Sequence, residues 1–376
     1  MKKFDIVVGL FYGDEGKGAT VSHLVEESKA HPVVVRFNGG AQAGHTVEYN
    51  GVRHTFSHFG AGTLQGAPTY WSKYALTDPL LFQKEWLDLE SKGVKPIFMV
   101  DPLSPVVTPF DVMWGRRYAK TGDSCGAGIG STMDRIAKSP YRIFAIDLFY
   151  PELLREKLRQ VSFYYAASSI SNLKVVGTTA RRSSRDDLEP SMNEWLDAAE
   201  FFADKTFIEY ERSLQNYGHI IFEGAQGVLL DQEYGVFPDV TYSHTTSRNA
   251  LSLLEEANLL KKSNLVNILH VRRPYITKHG KGYFPGEDSD FKSILINIEN
   301  EHNQYNDFQG EFRYAPFSLE LYELAKHYEF ANSEKVSPFY TDVITCIDQI
   351  ETPNFDLLEV SMCNDRKYLV HSKVVR

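Results

Sequence analysis

Apolar positions recur along this chain in runs and in alternation with polar helical stretches, and the opening stretch shows both. Phe4 to Leu10 is an apolar run rich in Ile and Val, the pattern of a parallel strand buried on both faces. The turn Gly13-Asp14-Glu15-Gly16-Lys17-Gly18 follows, and then an amphipathic stretch to about Glu27. Pro32 to Phe37 reads as a second strand and runs into another glycine-rich turn, Gly39 to Gly44. Later apolar runs predict strands at Lys95–Val100, His219–Phe222, Val266–Val271 and Val343–Ile347. Helical spacing predicts helices at Leu80–Leu89, Pro190–Leu214 and Ser318–His327. Strands alternating with helices imply an α/β fold: a central, mainly parallel sheet with helices on both faces. No repeat or linker interrupts the pattern, which suggests a single catalytic domain over residues 1–376 with insertions. The polar stretch Gly286 to Gln309 reads as a mobile loop or surface excursion.

Composition narrows the class. A chain of 376 residues with 43% hydrophobic and 24% charged positions can bury a large core without staples. The net charge of −9 repels nucleic acid at long range, so DNA and RNA are not expected partners, while a local positive pocket can still hold a nucleotide. Cys125, Cys346 and Cys363 lie far apart and form neither a disulfide framework nor a zinc site, which points to a reducing cytoplasm. No leader-like apolar segment or membrane-length apolar run is present, so neither export nor a membrane is expected.

Three glycine-containing turns carry candidate chemistry. In the first, Gly13, Gly16, Gly18 and the following Ala19 sit where a strand hands over to a helix, so backbone N–H groups can cradle phosphate and Lys17 adds a point charge. The spacing is not the GxxxxGK[ST] loop, because Gly13 and Gly16 are too close and Ala19 stands in place of Ser or Thr. Asp14 and Glu15 are unusual beside phosphate and make sense if one holds Mg²⁺ or acts as a base. As first-turn helix carboxylates they have an ordinary explanation too. In the second turn, Gln42-Ala43-Gly44-His45-Thr46, the histidine can polarise a phosphoryl or carbonyl oxygen. In the third, Phe222-Glu223-Gly224-Ala225-Gln226-Gly227, the glutamine amide can read a base edge. Each cluster alone is also what a plain tight turn looks like.

Together and in this order, the three resemble the GDEGKG, NAGHT and FEGAQG segments of the adenylosuccinate synthetase family. Ser124 to Gly130 resembles that family's TTGRGIG, Leu229 to Asp231 its LLD, Phe237 to Thr241 its YPYVT, and Thr277 to Glu287 its TRVGAGPFPTE. The resemblance weakens after about Gly286. It implies a P-loop-related fold and a ligase that joins L-aspartate to the 6-oxo carbon of a purine nucleoside monophosphate. GTP or another nucleoside triphosphate would supply the phosphoryl group of a 6-phosphoryl intermediate. The resemblance makes Asp14 the base at N1, His45 the acid, and Lys17 and Gln226 further active-site groups. Mg²⁺ would be held by Asp14 and the Gly44 carbonyl. Thr241 and the Ser124-Cys125 turn would hold the 5′-phosphate. Lys138 falls where an arginine is donated by a partner subunit, so a homodimer is implied. Asp348 would read the triphosphate's guanine, and Arg313 keeps the second of two conserved arginines.

Several positions depart from the family pattern. Gln42 replaces Asn, Cys125 a phosphate-binding Thr, Glu311 the other of those two arginines, and Cys346 a Lys beside Asp348. Loss of the arginine at Glu311, which contacts the ribose hydroxyl and the aspartate, suits a deoxyribose. A bacteriophage branch of the family uses dGMP to make a 2-aminoadenine precursor, and the sequence leans to dGMP over IMP. Retention of Asp14 leans the other way, since many members of that branch carry Ser there. With the arginine gone, Arg313, Lys278 or Lys281 must recognise the aspartate. A relative that binds nucleotide without catalysis is the alternative of another class. The intact Asp14, Lys17 and His45 argue against it.

Overall fold

The computed structural model describes residues 2–118, 126–176, 189–261, 264–296, 310–333, 336, 338–346, 349, 359–363 and 366–373. Its strands are Lys3–Gly9 (β1), Pro32–Arg36 (β2), His45–Tyr49 (β3), Val52–Phe56 (β4), Thr69–Trp71 (β5), Phe98–Val100 (β6), Phe207–Ile208 (β7), His219–Gly227 (β8), Val266–Arg272 (β9), Ile276–His279 (β10), Phe312–Ala315 (β11), Phe339–Ile344 (β12), Glu359–Cys363 (β13) and Arg366–Lys373 (β14). Its α-helices are Lys17–Glu26 (α1), Pro79–Ser91 (α2), Pro109–Tyr118 (α3), Ile129–Lys138 (α4), Pro151–Val176 (α5), Glu189–Lys205 (α6), Arg248–Glu256 (α7) and Leu319–Ser333 (α8). Among the described residues one sheet holds ten strands, in the order β13-β14-β12-β9-β1-β8-β2-β5-β6-β7. From β12 through β7 every pairing is parallel, and β13 and β14 add an antiparallel edge. Two hairpins, β3–β4 and β10–β11, stand apart from the sheet.

The expected α/β architecture is what forms, for a simple reason. β1 sits between β8 and β9; Phe4, Ile6 and Val8 belong to the core cluster that includes α7, and Val7 to the cluster that includes α1, α2, α5 and α6. A strand covered on both faces reads as a mostly apolar run, and the one charge inside β1, Asp5, is buried against Lys3, His219 and Asn267. Because the central strands are parallel, their carboxyl ends all reach one edge, where ligand sites of open α/β sheets lie. The loops after β1, β2, β8, β9 and β12 therefore meet.

Several boundaries differ from the sequence expectation: β6 begins at Phe98 rather than Lys95, β8 runs on through Gly227, and α8 continues to Ser333. The helix expected over Pro190–Leu214 ends at Lys205, Thr206 turning its hydroxyl back to the Phe202 carbonyl at 2.8 Å. Phe207 and Ile208 then add a short edge strand, which prolonged the apolar spacing. The strand expected over Val343–Ile347 begins at Phe339. Thr341 and Asp342 interrupt the apolar pattern ahead of Val343, Asp342 accepting a hydrogen bond from Tyr322 of α8. Part of the Gly286–Gln309 stretch forms a 3-10 turn at Phe291–Ile294, and residues 297–309 lie outside the described residues. Among the described residues no helix is long and apolar enough to cross a membrane.

Candidate active site

The β1–α1 turn is shaped by left-handed backbone. Gly13, Asp14 and Gly16 have φ of 98°, 59° and 88°. Gly16 is the N-cap of α1 without a capping side chain, which leaves first-turn N–H groups facing the turn. Asp14 takes the left-handed conformation, which Asp and Asn adopt more readily than other non-glycine residues. Arg273, just past β9, donates from Nε to the Asp14 carbonyl at 2.6 Å, and Thr345, just past β12, donates to the Glu15 carbonyl at 2.7 Å. Half-buried Asp14 is thereby held from two neighbouring strands.

Inside the turn sits Glu15, whose carboxylate accepts the Phe11 N–H at 2.5 Å and lies 3.7 Å from the Lys17 ammonium. Both side chains are nearly inaccessible, at 2% each. Burial pushes the Glu15 carboxyl up to about 7, against the pull of Lys17 and the Phe11 N–H. A carboxylate thus occupies the interior of a turn built to receive an anion.

The three glycine clusters touch. A Cβ on Gly18 would lie 2.6 Å from the His45 Cβ, and one on Gly39 would lie 2.8 Å from the Ala225 Cβ. One on Gly13 would meet the Gln226 Cα at 3.3 Å. Asn38 adds a clasp between the second and third clusters: the Ala225 N–H donates to its Oδ1 at 2.7 Å, and its amide donates back to the Ala225 carbonyl at 2.9 Å.

His45 opens β3 and is 8% exposed. Its Nδ1 bonds Glu223, whose other carboxylate oxygen accepts the Ala61 N–H at 2.9 Å. Burial opposes ionisation of Glu223, yet His45 and the fully buried Arg36 outweigh it and hold the carboxyl below its usual range. Burial also holds the imidazole below its ordinary value, Glu223 only partly opposing this. The resting state is therefore a carboxylate accepting Nδ1–H from a neutral imidazole. That bond fixes the tautomer and leaves Nε2 as the working atom. Nearby, Gln226 has φ 62°, and its Oε1, like Oε1 of Gln42, is buried without a hydrogen-bond partner among the described residues. A buried amide oxygen left open costs about 1–3 kcal/mol, which a ligand donor would recover.

Thr241 lies on the loop from Asp231 to Ser247. The Asp231 carboxylate clamps both ends of this loop, accepting from Glu233 N–H at 2.8 Å and from Thr245 N–H at 2.6 Å. Thr245 donates its hydroxyl to the Gly227 carbonyl at 2.9 Å, and Ser247 bonds the buried Glu329 of α8. On the hairpin, Lys278 and Arg313 stand opposite each other in the β10–β11 register. Lys138, in the last turn of α4, is 67% exposed and pairs with Asp134 at 2.7 Å, whereas its neighbour Arg135 is buried on Asp111. Beside it is a cavity of about 260 Å³ lined in part by Trp114, Tyr164, Tyr165 and Tyr242. Gly44 is exposed and Ala19, Ala43 and Thr46 are half-buried. Ser124, Cys125 and Asp348 lie outside the described residues.

The family model of adenylosuccinate synthetase matches residues 6–349 of this chain. The chain belongs to the adenylosuccinate synthetase family. An adenylosuccinate synthetase of Stenotrophomonas maltophilia is 32% identical over 298 residues, covering 76% of this chain and 65% of the relative. One of Haemophilus influenzae is 30% identical over 326 residues, covering 83% and 71%. The matched part is thus about two thirds of the length of these relatives. Among solved structures, a fully ligated adenylosuccinate synthetase from Plasmodium falciparum superposes with a TM-score of 0.68 at 19% identity, covering 86% of this chain and 74% of that one. The succinoaminodeoxyadenylate synthetase of cyanophage S-2L, bound to dGMP and dATP, gives 0.57 at 15% identity, covering 88% and 82%. At those identities the likeness is one of fold.

Within the adenylosuccinate synthetase frame, sequence reasoning missed Glu223, Arg36, Asn38 and Arg273. Glu223 stood inside a quoted motif, and a glutamate ending an apolar strand was the available signal. The other three become visible only once β2, β8 and β9 are neighbours.

Proposed function

We propose that the chain is a carbon–nitrogen ligase joining L-aspartate to C6 of a 6-oxopurine nucleoside monophosphate, driven by nucleoside triphosphate hydrolysis. The observation that carries this reading is the contact of the three glycine clusters, which sets Asp14 and Lys17 against the Glu223–His45 pair and the open Gln226 amide. Asp14 takes the proton from purine N1, and the 6-oxygen attacks the γ-phosphorus, releasing the nucleoside diphosphate. His45 hydrogen-bonds the transferring phosphoryl group through Nε2, and Glu223 stabilises positive charge on the ring as phosphate approaches. The aspartate amine then adds to C6, inorganic phosphate leaves, and the new nitrogen gives up a proton.

In this scheme Lys17 and the N–H groups from Gly13 to Ala19 receive the triphosphate, with Glu15 displaced from the turn. Gln226 and Gln42 meet the acceptor nucleotide, Thr241 its 5′-phosphate, and Lys138 a partner subunit's site in a two-fold dimer. Among the described residues no group of three or more His, Cys, Asp or Glu stands ready for a metal. That suits Mg²⁺, which is commonly held by one or two carboxylates and substrate phosphates. Asp14 and the Gly44 carbonyl would hold it, and it would offset phosphate charge.

For the acceptor we favour dGMP at least equally with IMP. Glu311 is exposed and carries a carboxylate where a cationic donor would favour a ribose hydroxyl, so a deoxyribonucleotide loses little there. The test is incubation with aspartate, a triphosphate and each monophosphate, following succinylated product by mass. Triphosphate hydrolysis without such a product would overturn the ligase reading.

A further inference from the structure

Five consecutive residues, Thr241 to Thr245, reach separate parts of the centre from one loop. The Thr241 N–H donates to the Leu230 carbonyl at 2.8 Å, just past the third glycine cluster. The Tyr242 ring lies against α4, where a Cβ on Gly130 would come within 3.2 Å of it. Ser243 is 7% exposed and held on two sides. Its carbonyl accepts the Gln232 N–H at 3.1 Å, and its hydroxyl oxygen accepts the Gly39 N–H at 3.1 Å. The Gln232 side chain donates to His244 Nε2 at 2.9 Å, and the Thr245 hydroxyl donates to the Gly227 carbonyl at 2.9 Å.

Of these contacts, the one from Ser243 to Gly39 does not serve the loop's own closure. Asp231 already clamps both loop ends, and Gln232 ties Ser243 from within. Gly39 instead opens the second glycine turn, which runs through Gln42 to His45, and it takes a left-handed φ of 70°. Its carbonyl accepts the Leu76 N–H at 2.9 Å, so both polar groups of this glycine are committed. The two residues before it are gripped as well. Asn249 of α7 donates to the Phe37 carbonyl at 3.2 Å, and Asn38 exchanges two bonds with Ala225. A buried N–H that loses its acceptor is costly, so without the Ser243 hydroxyl the start of the turn would have to shift.

Resting on the ligase reading above, with Thr241 at the acceptor's 5′-phosphate, we infer that Ser243 is a positioning residue that couples acceptor binding to the His45 turn. Thr241 and Ser243 share one short stretch of chain, so a phosphate that orders Thr241 orders Ser243 with it. Ser243 passes that order to Gly39, and the turn from Gly39 places His45 on Glu223. The residue acts through Thr241 on one side and Gly39 on the other.

Hydrogen exchange reads this coupling without any turnover. Saturating dGMP or IMP should slow exchange in the peptide from Gly39 to Thr46 of the wild type, and much less in Ser243→Ala. Equal slowing in both proteins, or none in the wild type, would overturn the inference. In steady state Ser243→Ala should lower kcat/KM for the monophosphate by about 10–100-fold, leaving the triphosphate and aspartate KM values nearly unchanged. A lower Tm with unaltered kinetic constants would make Ser243 a packing residue only, against the inference. Ser243→Cys, close in volume with a weak sulfur acceptor, should lie between wild type and Ser243→Ala. The loss should also be masked by Thr241→Val, the double variant being little worse than Thr241→Val alone. Additive losses would mean that the two residues act apart. Should Ser243→Ala not fold by circular dichroism, Ser243→Cys is read for the same exchange and kinetics. If the wild type forms no succinylated nucleotide, the ligase reading fails alone, and the exchange comparison with dGMP and IMP still decides the coupling.

Discussion

The glycine-turn half of the centre and the β10–β11 hairpin handle charge in opposite ways. In the first, buried charges are matched internally: Lys17 with Glu15, and Arg36 with Glu223, which also accepts a hydrogen bond from His45. The backbone itself fixes their places, since side chains on Gly18, Gly39 or Gly224 would collide with a neighbour. In the β10–β11 pair, Lys278 and Arg313 face each other across the ladder, Arg313 paired with Glu287 at 2.7 Å and Lys278 with Asp239 only at 4.0 Å. The glycine-turn half is therefore tied to packing that tolerates little change. Of the departures from the family pattern, Gln42 lies within the second glycine turn, while Glu311 and Cys346 fall outside the three turns.

The sharpest break in that comparison comes from Asp14→Asn and His45→Ala. Each should lower turnover by about 10²–10⁴-fold, the usual reach of general acid–base catalysis, in a protein that remains folded. A folded Asp14→Asn enzyme of undiminished kcat would remove the base from the scheme. Glu223→Gln should cost less, about 10–100-fold, and should also displace the His45-dependent limb of the pH–rate profile. A uniform loss with no change in profile would mean that Glu223 only packs. Next is sharing between subunits. Mixing Lys138→Ala with Asp14→Asn should restore activity in proven hybrid dimers, because one composite site is intact in each. Hybrids as inactive as the parents would leave Lys138 outside the site.

The smallest effects concern pH. With its carboxyl raised to about 7, Glu15 is neutral in acid and charged in mild alkali, so triphosphate affinity should fall as pH rises through neutrality. Glu15→Gln should flatten that dependence, and an unaltered slope would exclude Glu15 as its source. Glu329, buried beside Ser247, is also raised to about 7, burial being the main cause. Its folded value lies above the unfolded one, so it favours the fold below the unfolded value and loses that contribution as pH climbs toward 7. Glu329→Gln should narrow the gap in Tm between pH 5 and pH 8. An equal gap in both proteins would refute the linkage.

Much of the glycine-turn half was legible in the sequence because its constraints are local: left-handed glycines, an apolar strand before each turn, a polar residue after it. The buried parallel strands announced themselves for the same reason. The β3–β4 hairpin carrying His45 had its signal too, in Asn50-Gly51 with φ of 49° and 75°, the pair a tight hairpin turn demands. Other features were not legible. α5 buries Leu154, Leu158, Val161 and Tyr165 on one side and exposes Leu153 and Phe163 on the other, which blurs its helical stripe. The Glu223–His45 bond spans 178 positions. The Lys278–Arg313 opposition depends on strand register, which spacing alone does not give.

The central claim is that this centre succinylates a purine nucleotide. It is tested most directly by a competition in which equal dGMP, GMP, IMP and dIMP are offered with aspartate and GTP, and products are resolved by mass. The account predicts succinylated nucleotide that requires both aspartate and triphosphate, with dGMP consumed at least as fast as IMP. Exclusive use of IMP would contradict the acceptor assignment, and phosphate release without any succinylated nucleotide would contradict the account itself.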